Sequence, residues 1–352
     1  MTTTPGRLPT TGEQPLFSIL TSAYRTEAYL SDTIESVQGQ TLADWELIVV
    51  DNGMSDDVAE IVSCYRDDPR IRLVRQENKG LGGGVDAAAA VARGRYYAVL
   101  DSDDLLMPAF CERTAAVLAE RPEVDVVGID AYVFEDGDDR DWIRSYRQSL
   151  GITTPPDPER SVDLVTMIGG EVLYYTAAIR AEAWVRAKGY SCSTPKVEDL
   201  AMFLRLVVAG CDVRVLDERL ARYRLRTDSS SRDPAHADSF EANLERAFID
   251  ASKLTPAPEV DRALELTLRR IRYHQALRHS RTALLQGDTD AALRAALRAF
   301  AQRRTVRPAA VIAGLALAPG LMRRLHPVKQ RWSRTAAGLV RDGRHRVRVV
   351  RS

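Results

Sequence analysis

A short apolar run that ends in several carboxylates limits the fold of this chain more than any other feature. Residues 96–100 are Tyr-Tyr-Ala-Val-Leu, and Asp101-Ser102-Asp103-Asp104 follow directly. Such a run is typical of a fully buried strand in a parallel sheet, where ligands bind at the carboxyl ends of the strands. Carboxylates at a buried strand end are unfavourable without a cation, so the segment predicts a divalent metal ion that carries a phosphate. Asp101 and Asp103 would both face one ion if the chain stays extended beyond residue 100.

The same four residues also fit a helix N-cap followed by the acidic residues of a first turn, and the surrounding sequence decides between the two interpretations. Apolar runs and helical patterns alternate along the first hundred residues at the spacing of βαβ units. This alternation predicts a mainly parallel sheet with right-handed crossovers. The strands are expected at residues 17–21, 45–50, 70–75 and 96–100, and the helical patterns at residues 27–37, 59–62 and 85–92.

Polar and aromatic residues follow the ends of these strands. Tyr24 follows the first strand, Asp51 closes the second, and Asn78-Lys79-Gly80 with further glycines leads into a helical pattern. An aromatic ring can stack on a base, a carboxylate can accept from a base or ribose, and helix amides with a metal ion can neutralise a diphosphate. Singly, each residue also has an ordinary explanation as a packed aromatic or a turn residue. Their order along one sheet edge predicts a nucleoside diphosphate site.

The order and spacing of these segments resemble those of family 2 glycosyltransferases of the GT-A type, over residues 15–223. The resemblance implies an α/β fold with a Rossmann-like, mainly parallel sheet flanked by helices. It also implies an inverting transfer of a sugar from a nucleotide-diphosphate donor, expected to be a UDP-sugar, to a hydroxyl of a glycan or lipid-linked acceptor. The matching segments are Ser22-Ala23-Tyr24-Arg25, Gln38-Gly39-Gln40-Thr41, residues 49–56, Asn78-Lys79-Gly80-Leu81, residues 92–96, Asp101-Ser102-Asp103-Asp104 and Val197-Glu198-Asp199-Leu200.

The resemblance further implies roles for individual residues. Asp101 and Asp103 would hold the sugar diphosphate through Mg²⁺ or Mn²⁺. Asp199 would be the catalytic base, and Glu198 is the second residue expected in the catalytic site. The residues expected to bind the nucleotide are Ala23, Tyr24, Glu27, Asp51, Asn78, Lys79, Gly80, Asp101 and Ser102.

Glu198 and Asp199 stand at the predicted start of a helix, because the apolar residues that follow them have helical spacing. The helix dipole lowers the pKa of a carboxyl group at this position, whereas partial burial raises it. In an inverting reaction, one carboxylate takes the proton from the acceptor hydroxyl as the hydroxyl oxygen attacks the anomeric carbon. A capping pair without chemistry is the other interpretation, and the upstream segments favour the base.

Two departures from the family pattern concern the donor site. Ala23 and Arg25 stand where the family commonly has proline and asparagine, and Val85-Asp86 stand where it commonly has arginine and asparagine. Asp86 is expected to add negative charge near the donor, and the missing arginine removes a phosphate partner. These differences motivate a second hypothesis, a catalytically silent glycosyltransferase-like module that binds a nucleotide or a partner.

A dinucleotide site is the main competing enzyme class. Residues 80–85, Gly-Leu-Gly-Gly-Gly-Val, follow a strand and open a helix, but Val85 stands where the third glycine of Gly-x-Gly-x-x-Gly belongs. The segment also follows the third predicted strand instead of the first. The sequence therefore disfavours a nicotinamide-dependent oxidoreductase.

The chain is predicted to divide into a catalytic part and a helical part. Residues 15–232 would form the catalytic domain, with a nucleotide-sugar half at residues 15–104 and an acceptor half at residues 105–232. The acceptor half holds an apolar strand at residues 124–134, an acidic loop at 135–139 and an apolar run at 172–179. Helical patterns dominate beyond it, with a helical C-terminal region at residues 233–305 and a basic amphipathic tail at residues 306–352.

The neutral net charge hides an uneven distribution of charge. Residues 241–352 carry 23 Lys and Arg against 9 Asp and Glu, a net charge of +14, so the first 240 residues carry −14. Residues 309–322 are apolar but too short to span a bilayer, and Arg323 and Arg324 follow them. An interfacial helix on an anionic membrane and a helix packed on the catalytic domain both fit this pattern. Nucleic acid binding is disfavoured, because Trp332 is the only aromatic residue of the tail.

The cysteines and the first residues bear on location. Cys64, Cys111, Cys192 and Cys211 lack metal-binding or redox spacing, and most lie in patterns that predict burial, which indicates a reducing compartment. Residues 1–14 are polar and lack the apolar core of a signal peptide, so they predict a disordered lead. The expected location is the cytoplasm, and the tail leaves open a peripheral contact with the inner face of the cell membrane.

Overall fold

The computed structural model describes residues 14–135, 145–170, 175–190, 194–226 and 236–324. The predictions for the disordered lead, most of the acidic loop, the first part of the apolar run at residue 172, Cys192 and most of the basic tail concern residues outside these ranges. The chain forms two compact units, and the division falls between Glu265 and Leu266.

The first unit is built on one sheet of eight strands. They are β1 (Phe17–Ala23), β2 (Trp45–Asp51), β3 (Ile71–Arg75), β4 (Tyr96–Val99), β5 (Leu105–Leu106), β6 (Val124–Phe134), β7 (Thr176–Arg180) and β8 (Asp212–Arg224). Their order across the sheet is β3-β2-β1-β4-β7-β6-β8-β5. β1 to β4 are parallel, as are β6 and β8, whereas β7 is antiparallel to its two neighbours and β5 is antiparallel to β8. The predicted mainly parallel sheet is therefore confirmed.

Helices flank this sheet, and β1 to β4 alternate with the first three of them as the sequence predicts. All residues of β1 and β2 are buried, which explains why these strands are continuous apolar runs. The helices of the first unit are α1 (Glu27–Gln38), α2 (Asp56–Ser63), α3 (Gly80–Val91), α4 (Phe110–Glu120), α5 (Tyr146–Ser149), α6 (Leu164–Gly169), α7 (Ala181–Arg186), α8 (Glu198–Val208) and α9 (Ala237–Leu254).

The main hydrophobic core holds β1 and β4 in place. The ring of Phe17 meets the edge of the Tyr96 ring at 5.4 Å between centroids and lies 6.3 Å from the Phe110 ring. All three side chains are almost fully buried together with Trp45. Burial of one such side chain contributes about 1.5–3 kcal/mol, so this cluster fixes the strands that carry the polar edge.

The second unit contains the helical C-terminal part of the chain. Its elements are the later turns of α10 (Pro258–Gln286), then α11 (Thr289–Gln302) and α12 (Val306–Leu317). Ala292 and Ala296 of α11 pack with Leu284 and with Leu315 of α12 in a small core. After β8 every regular element in the described residues is a helix, as predicted, and none of these helices is long and apolar enough to cross a membrane.

α3 begins earlier than the sequence predicts, because it includes the run of glycines from Gly80 onward. A Cβ atom on Gly84 would lie 2.0 Å from the Ser22 hydroxyl oxygen, and one on Gly82 would lie 3.3 Å from the Tyr190 carbonyl oxygen. Only glycine allows the helix to approach β1 and its neighbours this closely. The prediction that the helix starts at Val85 was wrong because this tertiary contact outweighs the low helix propensity of glycine.

The chain turns directly after β4. The backbone N–H of Asp104 donates to the carbonyl oxygen of Asp101 at 3.1 Å, so residues 101–104 form a turn. The chain does not stay extended past residue 100, so the condition under which strand alternation would turn Asp101 and Asp103 toward one ion is not met.

The cysteines of the described part are free thiols. Cys111 and Cys211 are buried, as predicted, whereas Cys64 is exposed at the end of α2. Burial raises the pKa of the Cys111 thiol, so this side chain remains protonated and packs as a small apolar group.

Candidate active site

The carboxyl ends of β1, β2 and β4 lie side by side because the three strands are parallel. Ala23 at the end of β1 is in register with Asp51 at the end of β2. Asp101 follows β4 by two residues, and the backbone N–H of the intervening Leu100 donates to the carbonyl of Leu20 in β1. This edge therefore brings together segments that are separated by helices in the sequence.

Asp51 is fully buried at this edge and its carboxylate is held on both oxygens. One oxygen accepts from the backbone N–H of Ser55, and the other accepts from the Arg75 guanidinium, both at 2.9 Å. Ser55 caps α2 and its hydroxyl also donates to Glu27 at 3.2 Å. Asp51 and Glu27 thus belong to one polar network that ties the end of β2 to the start of α1.

Tyr24 presents an exposed ring at the end of β1. Its side chain is 43% exposed, although a Cβ atom on Gly53 would lie only 3.0 Å from the ring. The Arg25 guanidinium lies 5.2 Å from the ring centroid, and Arg25 has a φ of 58°, which is uncommon outside glycine. The ring therefore lies near Gly53 and the Arg25 guanidinium and keeps a large exposed surface.

Asn52 organises the start of α3, although the sequence analysis assigned it no role. Its amide nitrogen donates to the carbonyl of Gly80 at 2.8 Å, and its oxygen accepts from the Gln76 side chain and from the Lys79 backbone N–H. The side-chain oxygen of Asn78 accepts from the N–H of Gly80 at 2.8 Å. The predicted group Asn78, Lys79 and Gly80 is therefore anchored to the end of β2.

Ser102 and Asp104 hold the turn after β4 in place. The buried Ser102 hydroxyl donates to the carbonyl of Ser22 at 3.0 Å and lies 2.9 Å from the Thr26 hydroxyl. Asp104 accepts from the Tyr175 hydroxyl and from the Arg224 backbone N–H. Both side chains are engaged with the protein, so the turn is fixed between β1 and β8.

Asp101 and Asp199 come together from distant parts of the chain. Burial, with the negative charges of Asp103 and Asp199, raises the pKa of Asp101 to about 7. Burial also raises the pKa of Asp199, although backbone N–H groups at the start of α8 act in the opposite direction. Solvent still reaches the Asp199 side chain. A carboxylate with a raised pKa that remains accessible is suited to accept a proton.

Glu198 precedes Asp199 in the first turn of α8 but is buried, with 8% of the residue exposed. Its Oε2 has no hydrogen-bond partner in the described residues, and its Cγ would lie 3.2 Å from a Cβ on Gly82. Burial raises its pKa, and the adjacent Asp199 adds to this effect. The predicted helix start is confirmed, and of the two acids only Asp199 is open to solvent.

Asp103 forms an ion pair that the sequence analysis did not foresee. Its carboxylate lies 2.9 Å from the Arg226 guanidinium, while its backbone carbonyl accepts from Arg224 at 2.7 Å. Arg224 is the last residue of β8, and Arg226 follows two residues later. Both lie more than a hundred residues from Asp103 in the chain, so no local pattern signals this contact.

Asp86, one of the two predicted departures from the family pattern, binds a backbone group of the protein. Its carboxylate accepts from the backbone N–H of Tyr190 at 2.9 Å, and burial raises its pKa. Tyr190 in turn stacks on Trp184 with ring centroids 5.5 Å apart. The departure at Asp86 therefore connects α3 to the segment before α8.

Comparisons with known proteins show the family to which this chain belongs. A model of glycosyl transferase family 2 matches residues 18–181. The glycosyltransferase EpsE of Bacillus subtilis (strain 168) is 30% identical over 240 residues, which are 67% of this chain and 80% of that protein. The chain belongs to glycosyl transferase family 2. TuaG of the same organism, named for teichuronic acid biosynthesis, is 31% identical over 223 residues and is covered to 83% of its length.

Other matches to the family are shorter. EpsH of the same organism is 34% identical over 125 residues, and the match spans 36% of that protein. The relatives are named as glycosyltransferases, which confirms the enzyme class that the sequence predicts.

Solved structures of glycosyltransferases share the fold. S. aureus TarS 1–349 in complex with UDP-GlcNAc has a TM-score of 0.58 at 18% identity, over 84% of this chain and 83% of that chain. The mannosyltransferase PcManGT from Pyrobaculum calidifontis, in complex with GDP-Man and Mn²⁺, has a TM-score of 0.55 at 18% identity, over 94% of this chain and 88% of that chain. The predicted GT-A fold is confirmed, and at this identity the likeness concerns the fold alone.

The residues at this sheet edge suit a divalent ion only if a bound molecule supplies further atoms to coordinate it. No group of three or more His, Cys, Asp or Glu side chains in the described ranges is arranged to hold a metal ion. Asp101 and Asp103 supply two carboxylates, and Mg²⁺ sites commonly combine one or two carboxylates with phosphate oxygens and water. Burial, with the negative charges of Asp103 and Asp199, raises the pKa of Asp101, and a nearby cation would favour the ionised carboxylate. The donor set therefore fits a cation that arrives with a diphosphate.

Proposed function

We propose that this chain is an inverting, metal-assisted glycosyltransferase. It transfers a sugar from a nucleoside-diphosphate donor, in first place a UDP-sugar, to a hydroxyl of a glycan or lipid-linked acceptor. The observation that carries the proposal is the convergence of Asp101 and Asp199 beside Asp103, with the pKa of Asp101 raised to about 7. Negative charge gathered in this way where the strands end suits a site that receives a cation and a diphosphate.

Binding of the nucleotide is assigned to the edge formed by β1, β2 and the start of α3. The exposed Tyr24 ring stacks on the base. Asp51 and Glu27 bind the nucleotide as members of the polar network that joins the end of β2 to the start of α1. Ala23, Asn78, Lys79, Gly80 and Ser102 shape the backbone around the ribose and diphosphate. The N–H groups at the start of α3 favour an anion at that end of the helix.

Asp101 and Asp103 are the residues assigned to the cation, Mg²⁺ or Mn²⁺. When bound, such an ion stabilises the charge that develops on the leaving diphosphate. The structure of PcManGT with GDP-Man and Mn²⁺ supports a divalent ion in a protein of this fold.

Asp199 is assigned as the general base. Its carboxylate removes the proton from the acceptor hydroxyl while the hydroxyl oxygen forms a bond to the anomeric carbon. The bond from that carbon to the diphosphate lies opposite the attacking oxygen and breaks as the new bond forms. The configuration at the anomeric carbon is thereby inverted. A positioned base contributes about 10²–10⁴-fold to the rate. The raised pKa of Asp199 makes its carboxylate a better proton acceptor at neutral pH. Buried Glu198 precedes Asp199 in the first turn of α8.

Binding of nucleotides is the first test. Calorimetry with UDP, GDP and dTDP, each with and without Mn²⁺, should show metal-dependent binding of one nucleotide. TarS with UDP-GlcNAc and PcManGT with GDP-Man motivate the first two nucleotides. No binding of any of the three would contradict the transferase proposal and favour a catalytically silent module, to which the missing phosphate partner at Val85-Asp86 already points.

Substitution of the base is the second test. D199N should lower release of the diphosphate from the matching nucleotide sugar by about 10²–10⁴-fold and leave nucleotide affinity nearly unchanged. D57N removes the same charge from an exposed position in the first turn of α2 and should leave both properties unchanged. Wild-type turnover in D199N would show that another group is the base.

We further propose that the protein contacts the inner face of an anionic membrane through α12. Val306 and Leu317 are 84% and 86% exposed, so the helix presents apolar side chains to solvent. Exposed arginines lie at both ends of this helix, namely Arg303, Arg304, Arg307, Arg323 and Arg324. An apolar face flanked by cations matches the interface of an anionic bilayer, and such a contact would bring the enzyme to a lipid-linked acceptor.

A further inference from the structure

Arg226 occupies the position from which a cation would be expected to act on Asp103. Its guanidinium Nη1 lies 2.9 Å from Oδ2 of Asp103, and only 10% of the Arg226 side chain and 23% of the Asp103 side chain are exposed. The pair is therefore largely withdrawn from water, where an ion pair is stronger than at an open surface.

The surrounding contacts hold Arg226 against this site. The neighbouring Arg224 binds the Asp103 carbonyl at 2.7 Å and Asp32 at 2.9 Å, which ties the end of β8 to the turn after β4. Both guanidinium groups also lie over the ring of Tyr29, at 4.8 Å for Arg224 and 4.7 Å for Arg226. The strand end and the turn are thus fixed, so release of Asp103 requires the long side chain of Arg226 to move.

A cation that approaches alone meets an obstacle at this site. It has to break the ion pair between Asp103 and Arg226, in which both side chains are largely shielded from water, and this is unfavourable. A cation that arrives with a diphosphate brings phosphate oxygens, which can replace Asp103 as the anionic partner of Arg226. A guanidinium donates well to phosphate oxygens, so the lost ion pair is replaced.

We propose that Arg226 is a counter-ion that exchanges Asp103 for the diphosphate of the donor when the cation binds. The cation and the nucleotide then bind as a coupled pair, and each strengthens the binding of the other. Because the exchange involves the donor diphosphate, this inference rests on the proposed function and adds to it a residue that couples the binding of the cation to that of the nucleotide.

Titration of Mn²⁺ without nucleotide tests the exchange directly. The free Mn²⁺ signal in electron paramagnetic resonance measures the affinity of the wild type and of R226Q. R226Q should bind Mn²⁺ about tenfold more tightly, because Asp103 no longer has to be released. R226K keeps the positive charge and should remain close to the wild type. R219Q removes an arginine that stacks on Tyr132 elsewhere on β8 and should also match the wild type.

Titration of UDP and of GDP at saturating Mn²⁺ tests the second half of the exchange. R226Q should bind the diphosphate about tenfold more weakly than the wild type, so the mutual strengthening of Mn²⁺ and nucleotide falls. Equal Mn²⁺ affinities of R226Q and the wild type, or no Mn²⁺ binding by either, would overturn the inference. If the wild type binds neither nucleotide, the proposed function fails, while the Mn²⁺ titration still decides whether Arg226 competes for Asp103.

Discussion

The lack of a side chain at Gly84 allows α3 to lie close to the residues that position the candidate site. The residue lies in α3 where the helix meets β1, and a Cβ atom there would lie 2.0 Å from the Ser22 hydroxyl oxygen and 3.0 Å from the Asn52 amide nitrogen. Ser22 and Asn52 belong to the polar edge that carries Ala23 and Asp51. A larger residue at position 84 would therefore displace the helix and the edge together.

Substitution of Gly84 by alanine should destabilise the protein. The added methyl group overpacks a closed contact, which costs about 1–3 kcal/mol. Urea denaturation measures the change in the free energy of unfolding. Gly39→Ala is the control, because its Cβ would meet its nearest neighbour at 3.4 Å, an ordinary contact, and should change stability by less than about 0.5 kcal/mol. Equal stability of the two variants would show that α3 can shift without cost.

At the scale of elements, Glu46 joins four segments at the opposite end of the sheet from the candidate site. The fully buried carboxylate at the start of β2 accepts from the Ser18 hydroxyl and the Arg93 backbone N–H, each at 2.7 Å. It also pairs with the guanidinium groups of Arg93 and Arg72 at 2.9 and 3.3 Å. Burial alone would raise the pKa of Glu46, but the hydrogen bonds from Ser18 and Arg93 outweigh it, and the pKa lies below its usual value of 4.5.

This lowered pKa predicts a dependence of stability on pH. A carboxyl group with a lower pKa in the folded state stabilises the protein above its unfolded pKa, and this contribution is lost as the pH falls through the folded pKa. Glu46→Gln should thus destabilise the protein by about 1–3 kcal/mol at pH 7, and the difference from the wild type should shrink below pH 4.5.

Thermal or urea denaturation across this pH range measures the effect of Glu46→Gln. Glu77→Gln removes the same charge from an exposed residue after β3 and serves as the control. A destabilisation by Glu46→Gln that is the same at pH 4 and pH 7 would contradict the role of the ionised carboxylate.

At the scale of the whole molecule, the charge of the chain is divided by sequence position. Residues 241–352 carry a net charge of +14 against −14 for the first 240 residues. The acidic part contains the candidate catalytic carboxylates, and the basic part contains α12 with its exposed apolar face. Attraction to an anionic surface therefore belongs to the C-terminal part and should weaken as salt increases.

Flotation with liposomes tests the membrane proposal. The full chain should float with vesicles that contain anionic lipid at low salt and not with neutral vesicles. Leu317→Glu should reduce the bound fraction about tenfold, because it places a charge on the apolar face of α12. Leu266→Glu makes the same change at a side chain of α10 that is 60% exposed and should leave flotation unchanged. Absence of flotation at low salt would exclude the membrane contact.

Much of the first half of the fold could be predicted because β1 and β2 are buried on both sides and β4 is mostly buried. Burial of this kind requires a continuous apolar run, and the polar residue that ends each run marks the edge of the sheet. The helix start at Glu198 could also be predicted from the spacing of apolar residues behind it. The start of α3 at Gly80 could not, because glycine disfavours a helix, and the close contacts of Gly82 with Tyr190 and of Gly84 with Ser22 exist only in the folded protein.

By itself the sequence determined the α/β architecture, the strand ends that carry Asp51 and Asp101, and the helical, arginine-rich C-terminal part. These properties follow from local periodicity and composition, which a single segment carries. Only the tertiary structure decided that Asp199 lies close enough to raise the pKa of Asp101, that Asp103 pairs with Arg226, and that Asp86 binds the Tyr190 backbone. The reason is physical: each contact joins residues that are far apart in the chain, and charge and burial act through space once the fold has brought them together.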